Sequence, residues 1–549
     1  MNITKILYSL IFLLLPISVF AQRQPKAQTQ SNKVELQSAD SLVGAMYNGR
    51  RVDKLIGNVV FKQKETFLYA DSVYQYRDNV LEAFGKVRMN QADTVTITGD
   101  RATYNGNNRT ARITGNVVMQ DPRMTLTTPS LDYNLEARTA AYTEGGTIVD
   151  PENRLQSRRG TYDTRSKMFT FQQDVKVFTS DYNITAENMR YNTLSKVVYF
   201  QGPTIIKGQS GDLYAEEGTY NTLTKVSRFG RNAYILTPEY RLGGDDLFYD
   251  QARGYGSATK NVTLRSLKDD ITIYGQSGRY WRDRGMAKVY GKPVMQSVMD
   301  GDTLYMAADT LVSREAKGAR TKSMLFGYKN VKIYKSDLQG SSDSLSFNRT
   351  DSVMHMNGNP LLWSDNSQLE SDTIHIFLRN RVLDRMEMYN NAFIASEDTI
   401  KNYNQIKGRN MTAFFREGKI NRVNVNGNGE SIYYVLEGDS VMTGMNKVIC
   451  SNMVIRFAEN KLKTISFLVN PDANLIPPHE LKAADKQLEG FNWQIKSKPT
   501  KRSLVERKVV PKKAAVQPAK PILKAGSRKK DQAVKKPVKS GASQPRAAQ

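Results

Sequence analysis

The sequence predicts an all-β protein, an extended antiparallel sheet of two-strand repeats folded over along its length. Three observations predict it. Tyr104, Tyr133, Tyr162, Tyr191, Tyr220 and Tyr249 are spaced by 29 residues at every step. The segments that end on them align without a gap: ITGDRATY, LTTPSLDY, LQSRRGTY, ITAENMRY, LYAEEGTY and LGGDDLFY. Such a fixed period marks a repeat architecture. The composition agrees, with 28 Tyr against 3 Trp and only 18 Pro, because aromatic residues favour strands and proline does not.

The elements follow in order. Residues 1–21 read as a secretory signal peptide: a lone Lys5, an apolar run broken at Pro16, and Val19-Phe20-Ala21 before Gln22. No Cys follows that cleavage site, so lipoprotein acylation is not expected, and no later stretch is apolar for long enough to span a membrane as a helix. The mature protein is therefore expected to be exported and soluble. Residues 22–44 read as a linker. Repeats then fill residues 45–470, clearest over 45–280 and looser over 281–470, with 13 anchor positions from Tyr76 to Ile455.

Each repeat has two halves. One ends on the tyrosine, with a small residue and often an acid near its middle. The other centres on a Gly or Asn, as in Gly57-Asn58-Val59, Gly85-Lys86-Val87 and Gly115-Asn116-Val117. Apolar residues recur two and four places after the Gly position. Val59 and Phe61, Val87 and Met89, Val117 and Met119, and Val175 and Val177 thus form a period-2 face, joined by Leu126 and Ile184 from the partner strands. Turn signals come twice per repeat, after the tyrosine and between the halves. Two reversals in 29 residues leave two antiparallel strands of about ten residues each, and the central Gly or small residue bends both. Bent strands stacked in a meander give two sheet faces across a crease, apolar inside and open along one side.

Residues 471–495 break the repeat and read as an end cap, with a possible short helix over 478–488 and with Phe491 and Trp493 packing back on the last strands. From Lys496 to Gln549 there are 17 Lys and Arg against two acids, so this tail holds +15 of the formal +25. Such a segment is expected to be disordered. In an exported protein its partner would be an anionic lipid or cell-wall surface and not nucleic acid.

Catalytic signatures are missing. There is no G-x-S-x-G, P-loop or H-E-x-x-H motif, and no cofactor or metal is expected. One cysteine, Cys450, excludes a disulfide framework and a Cys-based metal site, and it occupies a small-residue position of its repeat. His355, His375 and His479 form no local motif, and His375 should face solvent. An acid recurs four places before the anchor (Asp100, Glu187, Glu216, Asp245, Asp309, Asp343, Asp372). A carboxylate pair could serve a glycosidase, but a ladder of seven reads as residues at the strand bend bonding neighbouring backbone. Five residues after each tyrosine stands a basic residue, Arg109, Arg138, Lys167, Lys196 and Lys225. These would line one rim at about 10 Å intervals, either to meet phosphates or as a solvated edge.

ADSVYQY (70–76) and TGDRATYNGNNRTARITGNVVMQ (98–120), after a signal peptide, resemble the OstA/LptA family of periplasmic lipopolysaccharide-transport proteins. The resemblance implies a V-shaped β-jellyroll whose interior holds lipid A acyl chains, and a non-enzymatic carrier or bridge in lipopolysaccharide transport to the outer membrane. On that reading Val59, Phe61, Val87, Met89, Val117, Met119, Leu126, Val175, Val177 and Ile184 line the lipid groove. Other transport components would pair with the free N-terminal edge, around residues 45–70. The chain holds more than twice the repeats of one such domain and ends in a basic tail where the family's outer-membrane members have a barrel. The competing reading is a carbohydrate-active or adhesive parallel β-helix, which would show a closed coil and a polar outer cleft.

Overall fold

The computed structural model describes residues 33–91, 95–208, 211–299, 301–318, 321–417, 419–438, 440–458 and 461–506. The expected signal peptide, the linker up to residue 32 and the basic tail beyond 506 lie outside the described residues. Thirty-six strands join in one antiparallel sheet, with three 3-10 turns and a single α-helix, Lys501–Val505, among the described residues. This is the architecture of an extended β-jellyroll, and its hairpin-to-hairpin pairing excludes a parallel coil. The sheet starts inside the stretch read as linker. Strands Glu35–Ser38 and Ser41–Tyr47 both pair with Arg50–Gln63. The N-terminal edge therefore lies at residues 35–47, one strand earlier than the sequence suggests.

From there the chain runs as a meander, each strand pairing with the next. Thr66–Tyr76, Val80–Gln91, Val95–Asn105, Thr110–Asp121 and Met124–Asn134 follow without a break. Their lengths of 11 or 12 residues match the expected two strands per repeat. Register slips by one residue in mid-strand, for instance between Phe84 and Val87 and between Thr114 and Val117, where three steps on one strand oppose two on its partner. In one strand of each pair the slipped residues form a left-handed couple: Gly57 and Asn58, Gly85 and Lys86, Gly115 and Asn116, Arg231 and Asn232, Lys260 and Asn261, Asn390 and Asn391. Consecutive residues with positive φ cannot continue a pleated ladder, so every strand turns at the same level and the whole sheet creases there.

The acid ladder sits on this crease. The side-chain amide of Asn58 donates to Asp40, Asn116 to Asp100, Asn232 to Glu216, Asn261 to Asp245, Asn330 to Asp309 and Asn391 to Asp372, at 2.8–3.1 Å. The expectation of backbone partners is thus corrected in part. The carboxylates staple the left-handed asparagines, while backbone N–H groups of Asp40, Asp309 and Asp372 also bond crease carbonyls. Cys450 is buried at the same level opposite Gly429.

The crease divides the sheet into two arms. The tyrosine arm carries the anchors at its hairpin tips, and the facing arm carries residues 59–63, 87–91, 117–121 and their equivalents. Period-2 alternation turns one face of each arm inward, giving one apolar core from Val34 to Tyr249 and a second from Tyr240 to Ile455.

Candidate functional site

All ten predicted groove residues face the interior, and all are buried to within 1% exposure. They pack against one another in the first core, whose half-exposed apolar neighbours among the described residues are Ala39 and Ala186. The reason lies at the mouth between the arms. The buried Tyr104 hydroxyl donates to Gln63, Tyr133 to Gln91, Tyr162 to Asp121 and Tyr191 to Asp150, each reaching back 41 or 42 residues to a tip of the facing arm. These hydroxyls latch the two arms together.

The predicted basic row reinforces the latches. Arg109, Arg138, Lys167, Lys196 and Lys225 all end their turns at φ between 53° and 61°. Arg109 pairs with Glu136 at 2.8 Å, within its own arm. Lys167 pairs with Asp121 across the mouth. Lys196 spans it to Asp150 at 3.2 Å and Glu152 at 2.6 Å, and Lys225 to Asp181 at 2.7 Å. Burial would raise the Asp150 carboxyl, but hydrogen bonds from Tyr191, Asn153 and the Glu152 N–H, with the charge of Lys196, hold it below its ordinary value. Burial likewise pushes the Tyr191 hydroxyl well above the usual range, with the bond to Asp150 adding to it. The closing contact of the series is a buried cluster. The Tyr240 hydroxyl donates to Glu315 at 2.7 Å, and Arg349 bonds both Glu315 and Asp269. A single exposed pair, Arg381 with Asp270 at 3.7 Å, follows it.

Beyond this cluster the mouth opens. The anchor positions there are Phe347, Ile376, Ala413 and Ile455, which have no hydroxyl to donate. The second core carries eleven half-exposed apolar residues along its open side, among them Phe415, Ile420, Phe457, Leu462 and Ile465. These five, with Ile406, surround a cavity of about 600 Å³ between the arms, closed at its base by Leu369, Met386, Ile394, Val423 and Ile455. A smaller space of about 50 Å³ lies nearby, among Met299, Leu304, Ile333, Met354, Ile376 and Leu383. Two other depressions, of about 680 and 620 Å³, lie on the crease among polar residues such as Asn116, Glu144, Lys86 and Asp100. They are shallow and water-facing.

None of the cavity residues was picked out by sequence reasoning. The available signal was negative, the loss of tyrosine at the anchor. A positive one stands beside it: apolar residues flank the tips directly, in Leu378-Arg-Asn-Arg-Val382 and Phe415-Arg-Glu-Gly-Lys-Ile420.

A strap covers the outer face of the facing arm in this half. After strand Asp472–Ile476 the expected short helix over 478–488 is two 3-10 turns, Pro478–Glu480 and Ala483–Lys486. Leu488, Phe491 and Trp493 lie on Phe393, Ala395, Ile432, Tyr434 and Met445. Gln405 bonds the Lys486 carbonyl and the Leu488 N–H at 2.8 Å, and Gln368 bonds Asn492 and Gln494. The strap thus binds one face of the arm, with Ile476 of the last strand packed into the same cluster. Residues 496–506, read as the start of the disordered tail, continue it, with Leu504 buried beside Val294 and Tyr305. His355 and His375 meet edge-on at 4.2 Å on the outer face, both half-buried.

Residues 31–187 match the family described as OstA-like protein. Among solved structures, the chain is similar to LptH of Pseudomonas aeruginosa, the LptA-homologous periplasmic component of a lipopolysaccharide-transport device. The match has 14% identity and a TM-score of 0.17, covering 18% of this chain and 76% of that one. No curated protein matches the chain. No helix among the described residues is long and apolar enough to cross a membrane.

Proposed function

We propose that this chain, which carries an OstA-like domain over residues 31–187, is a non-enzymatic periplasmic protein of lipopolysaccharide transport. On this reading it takes acyl chains into the cavity of its C-terminal half. One observation carries the reading. The interior is packed from Val34 to Tyr249, with its mouth latched by contacts from Tyr104 with Gln63 to Tyr240 with Glu315, but lined by half-exposed Phe, Leu and Ile where the latches end. Exposed apolar surface of this extent is unfavourable in water unless something covers it, and a hydrocarbon chain gains about 0.8 kcal/mol per CH₂ buried there. The ten predicted groove residues then form the solid body from which the cavity extends, and the basic row serves its seal. Both ends of the sheet present edge strands, with Leu42, Val43 and Met46 exposed at one and Leu475 at the other. Further transport components would add strands there.

The test is equilibrium binding of lipid A to the purified protein. Ile420→Glu places a charge at the rim of the cavity on a half-exposed position, so folding should survive with an unchanged melting temperature. Affinity should fall at least tenfold. Unchanged affinity in a folded variant would refute the assignment of the cavity.

A further inference from the structure

The two halves of the mouth differ in what their tip cations do. In the closed half, Arg109, Lys167, Lys196 and Lys225 are each held by an acid. In the open half, the hairpin tip 415–420 carries Arg416 and Lys419, both exposed and directly beside the cavity-lining Phe415 and Ile420. Neither has an acidic partner among the described residues, although Glu417 stands between them in sequence. The neighbouring tip carries Arg379 and Arg381, which are paired with Asp384 and Asp270. The opposite lip, on the facing arm, bears Asp365 and Glu397. There Lys401 is paired with Glu397 at 3.2 Å and Lys498 donates to the Asp365 carbonyl at 3.3 Å, so Arg416 and Lys419 stand out as exposed cations next to cavity-lining apolar side chains with no such engagement among the described residues.

We propose that Arg416 and Lys419 form an anion subsite that receives the phosphate headgroup of an amphiphile whose chain occupies the cavity. The inference rests on the acyl-binding reading above and adds the headgroup and its orientation. The chemistry follows from the spacing along the chain. Each cation is one residue from an apolar side chain that lines the cavity, so a phosphate at the head of a buried alkyl chain reaches both without leaving the mouth. An arginine and a lysine on one tip give a phosphate charge-assisted hydrogen bonds from two sides. On the other lip Lys401 and Lys498 are already engaged by Glu397 and the Asp365 carbonyl, which leaves the tyrosine arm as the side that receives the headgroup.

The experiment compares dodecyl phosphate, dodecyl maltoside and inorganic phosphate on the full-length protein and on the Arg416→Gln/Lys419→Gln variant. The wild type should bind dodecyl phosphate about tenfold more tightly than dodecyl maltoside at low salt, as two partly exposed charge pairs can supply. The variant should bind the two equally, with its maltoside affinity unchanged, and added salt should erode the difference in the wild type. Equal binding of both amphiphiles by the wild type would overturn the subsite and leave the cavity reading standing. Failure of either amphiphile to bind would overturn the cavity reading itself. Inorganic phosphate bound as tightly as dodecyl phosphate, with the same dependence on Arg416 and Lys419, would make this a free-anion site and overturn the headgroup assignment.

Discussion

Asp150 shows what one latch contributes. Its carboxylate is fully buried and accepts from Tyr191, Asn153 and Lys196 at once. Removing it leaves a buried hydroxyl and an ammonium without their partner, which costs far more than removing one hydrogen bond. Asp150→Ala should destabilise the protein by about 3 kcal/mol and Tyr191→Phe by about 1 kcal/mol, read by denaturant melts. A double-mutant cycle should show that the two couple. Since the folded-state carboxyl titrates below its ordinary value, this stabilisation is present above the ordinary carboxylate range. It is lost as pH falls through the folded pKa.

Glu370 behaves in the opposite sense. It is half-buried near the strap, and desolvation raises its carboxyl to about 7 against a bond from Gln368 that lowers it. Between about pH 4.5 and 7 the folded chain holds a proton that the unfolded chain has released. Stability therefore falls as pH rises across that window and levels off above it. Glu370→Gln should abolish this slope and be more stable than the wild type at pH 8 by about 1 kcal/mol, after allowance for the partial exposure. Coincident pH–stability curves for the two proteins would disprove the assignment.

At the scale of the element, the crease is the device that makes a jellyroll from a meander. At Gly115, φ is 79° and an added Cβ would stand 2.4 Å from the Asp100 carboxylate that Asn116 bonds. Gly115→Ala should therefore cost about 2 kcal/mol, from left-handed strain and displacement of Asp100 together. The penalty should shrink in an Asp100→Ala background, as thermal melts of the four proteins would show. The crease was legible because its Gly-Asn pairs recur at the repeat period. Its staples were half legible: the acids were visible as a ladder, but their partners lie on the neighbouring strand at separations of 16 to 21 residues. Sequence alone does not show which residue faces them. The strap was legible as a cap that packs Phe491 and Trp493 back on the strands, but its path was not, for another reason. It is a run of 3-10 turns anchored by side-chain amides of Gln368 and Gln405, and such a segment has no period to detect.

For the whole molecule, the repeat predicted the sheet, its hairpin rhythm and its inward face, from Val59 to Ile184. It did not predict where the interior is filled and where it is hollow. That difference is set by contacts between the arms, and the latches join residues 41 or 42 apart, a separation fixed by the stagger of one arm on the other. In the fold the hydroxyls of Tyr104, Tyr133, Tyr162 and Tyr191 close the mouth, a role that the 29-residue period alone does not reveal. The exchange of tyrosine for Phe347, Ile376, Ala413 and Ile455 looked like a decaying repeat, whereas it marks the half that stays open.

The most direct test of this division is photo-crosslinking in cells from single positions on either side of it, with the captured molecule identified by mass spectrometry. A photo-reactive residue at Phe415 or Leu462 should capture lipid A, and one at Met119 or Val177 should capture none. Capture at Met119 or Val177 equal to that at Phe415, or capture of no lipid at any of the four, would contradict the account.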